Sequence, residues 1–252
     1  MQVHSCSVTD VGLKRKANED SYCSNDEVGL YVVADGMGGH AAGEVASDLA
    51  VKTIEDFIKL TSNNTEITWP YGIDEGLTLN GNRLKTSIRF ANEKLLEQTR
   101  ARADYEGMAT TVVATIVEAE LADIAHVGDS RAYLVRDGEL VSITSDHSWV
   151  NEQVMSGVID SEQARTHPLR NVVTRALGGK EAIEVDVQTV ELKSGDRLLL
   201  CSDGLTSMLA DPEILKIVLD NGGGVEQANE LVAAANRSGG EDNTTTILLH
   251  VV

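Results

Sequence analysis

Thr110 to Ile143 reads TTVVATIVEAELADIAHVGDSRAYLVRDGELVSI. Four short apolar or β-branched segments follow one another: Thr110 to Val117, Ala122 to Val127, Ala132 to Val135 and Glu139 to Ile143. Short segments of this kind, joined by turn residues, predict an antiparallel meander. Asp137-Gly138 sits between two apolar segments of similar length, as a two-residue hairpin turn should.

Further strands are predicted at Val3 to Thr9, Gly29 to Ala34, Glu184 to Leu192, Arg197 to Ser202 and Thr244 to Val251. Helical spacing appears from Gly43 to Lys59, through Val45, Leu49, Ile54, Phe57 and Ile58. It recurs from about Asn82 to Arg102, through Leu84, Ile88, Ala91 and Leu95. Thr61 to Asn80 reads as a surface loop, and Ser148 to Leu177 as an irregular passage with one or two short helices. Asp211-Pro212 opens a helix, with the aspartate as cap, and a last helix runs from about Val225 to Asn236. Grouped strands and paired helices indicate an α+β fold, with antiparallel sheets inside and helices outside.

The chain has 252 residues, enough for one large domain or two small ones. Its 40 Asp+Glu against 21 Lys+Arg, net charge -19, exclude a non-specific nucleic-acid or anionic-membrane binder, which needs clustered cations. The N-terminus lacks a signal-peptide pattern, and no apolar run approaches ~18 residues. Cys6, Cys23 and Cys201 are odd in number and widely spaced, which suits a reducing cytoplasm.

Tyr31 to Glu44, YVVADGMGGHAAGE, ends an apolar run on Asp35. A glycine-rich turn comes next, and then a helical pattern, so a hairpin reading fails there. Asp129 and Asp203 likewise close predicted strands, and Asp242 precedes one, each with glycine nearby. Carboxylates brought together from strand ends repel unless a cation lies between them. Asp oxygens and backbone carbonyls suit Mg²⁺ or Mn²⁺. Gly36 would let its own carbonyl approach an ion, though a tight strand-to-helix turn also accounts for the glycines. His40 lies on that turn, within reach of the same site. His126 reads as a strand residue with a satisfied ring.

The series Gly12, Arg15, Asn18-Glu19-Asp20, Val33 to His40, Thr110-Thr111, Gly128 to Arg131, Ser202-Asp203-Gly204, Gly240 and Asp242-Asn243 has a recognisable order. It resembles the metal-dependent serine/threonine protein phosphatases of the protein phosphatase 2C type, in particular the small bacterial members. Asp146 to Glu152 and His167 to Gly178 resemble their flap. The resemblance runs from about Val8 to Val251.

It implies a central β-sandwich of two antiparallel sheets flanked by helices on both outer faces. The whole of 1–252 would be one catalytic domain, with a mobile, substrate-selecting flap at about 146–178. Two Mn²⁺ or Mg²⁺ ions would share Asp35. Gly36 would offer its carbonyl to one ion, and Asp203 and Asp242 would bind the other. Glu19 and Asp20 would support the site, directly behind the ions or through water, and Asp129 would help to hold a third, weaker ion. A hydroxide bridging the metals would hydrolyse phosphoserine and phosphothreonine in proteins without a phosphoenzyme. Arg15 would hold the phosphate, and His40 would protonate the leaving oxygen. The implied partners are phosphoproteins and a cognate Ser/Thr kinase, with no nucleic acid or membrane, for a monomeric cytoplasmic enzyme.

One departure is Met108-Ala109-Thr110-Thr111, where relatives read Met-Gly-Thr-Thr. Three other readings stay open: a pseudophosphatase, an interaction module with a structural cation, and a hydrolase of other phosphate esters.

Overall fold

The structure, a computed structural model, describes residues 1–38, 42–62, 69–220 and 222–252. Eleven strands among these residues form two antiparallel sheets. One sheet has the order β1 (Val3–Asp10), β11 (Thr244–Val251), β10 (Arg197–Cys201), β7 (Arg131–Arg136), β8 (Glu139–Ser142). The other runs β2 (Asp20–Asn25), β3 (Leu30–Met37), β5 (Val112–Glu118), β6 (Leu121–Val127), β9 (Asp186–Glu191), with β4 (Ala109–Thr110) paired to β3.

The sheets stack face to face. Val33, Val113, Ile124, Leu198, Leu200 and Ile247 fill the space between them. Alternate residues point outward. Val32, Ala34, Val112 and Ala114 face α1 (Ala42–Ser62) and α2 (Leu79–Ala101). Leu199, Cys201 and Leu248 face α6 (Asp211–Leu219) and α7 (Gly224–Arg237). Both sheet faces are therefore buried, which is why the central strands read as continuous apolar runs. The result is the four-layer α-β-β-α sandwich that the family resemblance implied. Between β8 and β9 lie two short helices, α3 (Trp149–Met155) and α4 (Ser161–Thr166), and α5 (Asp203–Thr206) is a single turn after β10. No helix among the described residues is long and apolar enough to cross a membrane.

Several local expectations are corrected. The four segments from Thr110 to Ile143 are not one meander. They form two hairpins, β5–β6 and β7–β8, in different sheets. The chain crosses between the sheets at Gly128 to Ser130, where Gly128 takes φ +109° and lies against Thr111; an added Cβ would come 2.6 Å from the Thr111 Cβ. The hairpin at Asp137-Gly138 is as expected, with φ 53° and 82° and with Arg136 paired to Glu139. The strand at Asp35 does not stop there. Beyond its pairing with β2 and β5, β3 continues and pairs with β4 through Gly36↔Thr110. β2 carries no strand-like composition in Asp20 to Asn25 and is made a strand by pairing with β3. The cap of α6 is Ala210 rather than Asp211, and α2 begins at Leu79, three residues early, because Thr78 accepts the Gly81 N–H.

Candidate metal centre

Strand register explains why the aspartates meet. Asp20 opens β2 directly opposite Asp35 on β3. In the other sheet, Cys201 at the end of β10 pairs with both Thr246 and Arg131, so Asp203, the start of β11 and the crossing at Asp129 share one end. Asp242 and Asn243 lead into β11 at that same end. Five separated segments thus deliver carboxylates to one rim of the sandwich.

Asp20 and Asp129 are buried, and Asp35 and Asp203 are half-buried at the mouth. The carboxyl groups of Asp35 and Asp203 lie close enough to perturb each other. Burial, reinforced by the Asp203 and Asp242 charges, pushes the Asp20 carboxyl up to about 7. Burial, with Asp203 and Asp146 nearby, pushes Asp129 up to about 8. Asp35 stands well above the usual carboxylate range, through burial and then the charges of Asp20, Asp203 and Asp129. Asp203 is raised by burial and by Asp242.

The oxygens are aimed with care. Ser202 Oγ and Thr245 Oγ1 both donate to Asp20 Oδ2, at 2.8 and 2.6 Å. Asp20 Oδ1 and Asp203 Oδ1 are buried with no hydrogen-bond partner. Bare carboxylate oxygens facing other carboxylates cost several kcal/mol unless a cation or protons intervene. An all-oxygen, multiply anionic set of this kind fits a hard divalent ion, Mg²⁺ or Mn²⁺. The residues present therefore fit the metals that the sequence implied.

The supports around the cluster are hydroxyls and amides. The Asp35 N–H donates to Thr111 Oγ1 (3.1 Å), and the Thr111 N–H and Thr110 Oγ1 donate to the Asp35 carbonyl (2.9 and 2.8 Å). Thr111 Oγ1 and Ser130 Oγ share a further bond of 2.7 Å. Asn243 accepts the Glu19 N–H and donates to the Val11 and Ala17 carbonyls, locking the β1–β2 loop onto the site. Glu19 itself is half-buried against Gly43, and burial raises its carboxyl. Arg15, half-exposed, donates from Nη2 to Asp242 Oδ2 at 2.5 Å and feels Glu19 and Asp35, so its head lies over the cluster. His40 lies outside the described residues.

At Gly36 a Cβ would sit 2.0 Å from the Gly43 carbonyl oxygen and 2.6 Å from that of Glu19. Both obstacles are backbone, so neither can swing away. Gly36→Ala is expected to cost about 3 kcal/mol, lowering Tm by about 6–12 °C. Thermal unfolding beside Gly179→Ala, whose new methyl would meet nothing closer than 3.4 Å, checks this. Equal melting of the two variants would refute the crowding.

The sequence reading missed Thr245 and gave no role to Ser202. A signal existed: three consecutive threonines, Thr244 to Thr246, open an otherwise apolar strand and are completely buried. It also set His126 apart from chemistry. The ring stacks on His147 at 4.6 Å and 11°, with Asp186 close enough that one ligand atom from each lies within 4.8 Å of the others. The Arg175 guanidinium already occupies that cluster, 2.8 Å from Asp186 Oδ1 and 3.0 Å from His147 Nε2. Near-parallel rings also aim their lone pairs side by side rather than at one point. His126 Nε2 is 2.9 Å from the Ser145 carbonyl, a satisfied ring as expected. This cluster ties the 146–178 segment to the sheet, with His147 bonded through N and Nδ1 to the Gly128 carbonyl and N–H.

A cleft of about 510 Å³ opens beside the carboxylates, between that segment and the β7–β8 edge, with Asp129 and Asp203 among its lining.

Comparison with known proteins agrees with this geometry. The family model described as Protein phosphatase 2C matches residues 14–235. The serine/threonine phosphatase stp of Listeria welshimeri is 38% identical over 98% of this chain and 95% of its own length. The crystal structure of the Mycobacterium tuberculosis serine/threonine phosphatase PstP/Ppp superposes with a TM-score of 0.87 at 36% identity, covering 99% of this chain and 98% of that one. A structure of the PstP catalytic domain in complex with two manganese ions gives a TM-score of 0.85 at 35% identity, covering 99% and 98%. With a family model matching most of its length and relatives this similar over nearly the whole chain, the chain belongs to the protein phosphatase 2C family of serine/threonine phosphatases.

Proposed function

We propose that the carboxylate cluster is a two-metal centre at which phosphoserine and phosphothreonine in proteins are hydrolysed directly, with no phosphoenzyme. One observation carries the reading: like-charged carboxylates converge from five segments with buried oxygens left bare. The manganese-bound relative supports the choice of ion.

Asp35, crowded by the charges of Asp20, Asp203 and Asp129, would serve both ions. The Gly36 carbonyl would help to hold one ion, and Asp203 and Asp242 the other. Glu19 and Asp20 sit behind them, and Asp129 lies on the side where a third, weaker ion would be held. Two such ions, Mn²⁺ or Mg²⁺, supply Lewis acidity toward water and the phosphoryl oxygens when bound. Arg15 is placed to receive the phosphate. Its fork can exchange Asp242 for two phosphate oxygens, a bidentate match that fixes orientation. His40 is assigned the proton transfer to the departing Ser or Thr oxygen, for which an imidazole titrates in the useful range. The 146–178 segment acts as the flap of a single catalytic domain. A cytoplasmic monomer opposing a Ser/Thr kinase completes the reading.

Phosphate release from p-nitrophenyl phosphate and from phosphothreonine peptides tests it. Turnover with Mn²⁺ should be lost in excess chelator and restored by the metal, and kcat/KM should favour the peptide. Full activity in chelator would end the two-metal reading. A preference for the small ester would favour hydrolysis of other phosphate esters.

A further inference from the structure

The cleft beside the carboxylates has a role that the chemistry of phosphate transfer leaves unassigned. Its floor reaches Asp129 and Asp203, so a chain entering it is continuous with a phosphoester held at the cluster. Ser142, Ser145, Asn151 of α3 and Arg165 of α4 are among its lining; Asn151 Nδ2 donates to Ser145 Oγ at 3.0 Å, and Ser142 Oγ to the Thr144 carbonyl at 2.8 Å.

Arg165 is the exception among the arginines. Every other arginine has a hydrogen bond, an ion pair or an aromatic ring beside it among the described residues. Arg131 is spent on Asp146 through two bonds of 2.8 and 2.7 Å. Arg170 lies 4.0 Å from Glu241. Even Arg89, with no carboxylate partner, lies over the Tyr71 ring. Among the described residues Arg165 has none of these, although the chain holds 40 carboxylates. In so acidic a molecule, an exposed guanidinium left unpaired on the wall of a cleft stands ready for an anion that arrives from outside. The surrounding negative field repels anionic chains in general, so a single cation at the correct offset discriminates by position.

We infer that Arg165 forms an anion-reading subsite, selecting phosphoproteins with a second anionic side chain, a carboxylate or another phosphate, at a fixed offset from the phosphoresidue. The inference rests on the proposed phosphatase reading of the neighbouring cluster and names the substrate feature that this site prefers.

The test uses the Mn²⁺-loaded full chain. Phosphothreonine peptides carry a single Glu, a single phosphoserine or a single Ala at each position from four before to four after the phosphothreonine. Each kcat/KM is divided by that of the same enzyme on p-nitrophenyl phosphate. At one offset, Glu should exceed Ala by about three- to fivefold, and the second phosphate by about tenfold, in keeping with an exposed ion pair and with a bidentate one. In Arg165→Ala both ratios should fall to one. In Arg165→Glu the Glu peptide should become the poorer substrate, and a Lys peptide at that offset the better one. A gain confined to the phosphoserine arm identifies a second phosphate as the ligand; a gain in both identifies a general anion. Ratios of one at every offset in the parent enzyme, or ratios that persist in Arg165→Ala, would overturn the subsite while leaving the phosphatase reading intact. Absence of turnover on peptide and small ester alike would overturn both.

Discussion

Asp35→Asn is expected to release phosphate at least about 10³-fold more slowly than the parent chain, with its fold intact. The change keeps the side chain's size but replaces one carboxylate oxygen with an NH2 group that can only donate. Asp35 is hemmed in by Asp20, Asp129 and Asp203, and its carboxyl is held far above the ordinary range by burial and by those charges. A group in that position serves the site by being anionic when cations are present. As an amide it can no longer bridge two of them. The same reasoning predicts an opposite effect on the metal-free chain. Removing a buried like charge relieves repulsion, so in chelator Asp35→Asn should melt no lower than the parent. Asp137→Asn, on the exposed β-hairpin turn, is the control, and should leave both quantities unchanged. Comparable turnover by Asp35→Asn and the parent would remove Asp35 from the site. Loss of turnover together with a large fall in melting temperature would show a structural role instead.

The second large effect is on stability against pH. In the metal-free chain, Asp20 and Asp129 are raised to about 7 and about 8, and Asp35 and Asp203 are raised as well. An acid whose folded pKa exceeds its unfolded value holds its proton longer when folded. Its contribution falls as pH rises from the unfolded value through the folded one. Other groups confine the clean window. The lowered carboxyls of Asp186 and Asp196 gain their full stabilisation just above the ordinary carboxylate range. His126, His147 and His250, all lowered by burial, oppose the trend only up to about their unfolded value near 6.5. The buried thiols of Cys23 and Cys201, pushed up to about 12, add to the fall only as pH passes about 8.5. Between pH 7 and 8 the carboxylate cluster dominates. Each extra proton held by the folded state costs about 1.4 kcal/mol per pH unit, roughly 3–6 °C in Tm. Chelator-treated protein should therefore melt lower at pH 8 than at pH 7. With saturating Mn²⁺ that fall should largely vanish, because bound ions would keep the ligands deprotonated, as they are in the unfolded chain at these pH values. Differential scanning calorimetry at both pH values, with chelator and with Mn²⁺, reads the two slopes. Parallel slopes would mean that the cluster is neither crowded nor filled by cation.

Much of the site was legible in the sequence. Asp35, Asp129 and Asp203 each stood beside a glycine, and Asp242 two residues from one, at a break in an apolar segment, and such breaks are local events. The hairpin at Asp137-Gly138 was equally local, since left-handed backbone at two successive residues is a property of those residues. The supporting hydroxyls were less visible. Thr245 and Ser202 are ordinary strand-end residues in sequence, and their aim at Asp20 exists only because β10 and β11 lie side by side.

The linear chain alone determined the alternation of strand and helix, the acidic character of the molecule, and the residue types suited to a hard cation. Tertiary structure decided that the segments from Thr110 to Ile143 divide between two sheets, that Asp20 stands in a strand at all, and that Arg165 lines a cleft without a partner among the described residues. The reason is the range of the forces involved. Torsional preference and hydrophobic periodicity act within a few residues. Hydrogen-bond partnership, desolvation and charge repulsion are set by whatever distant segment arrives alongside.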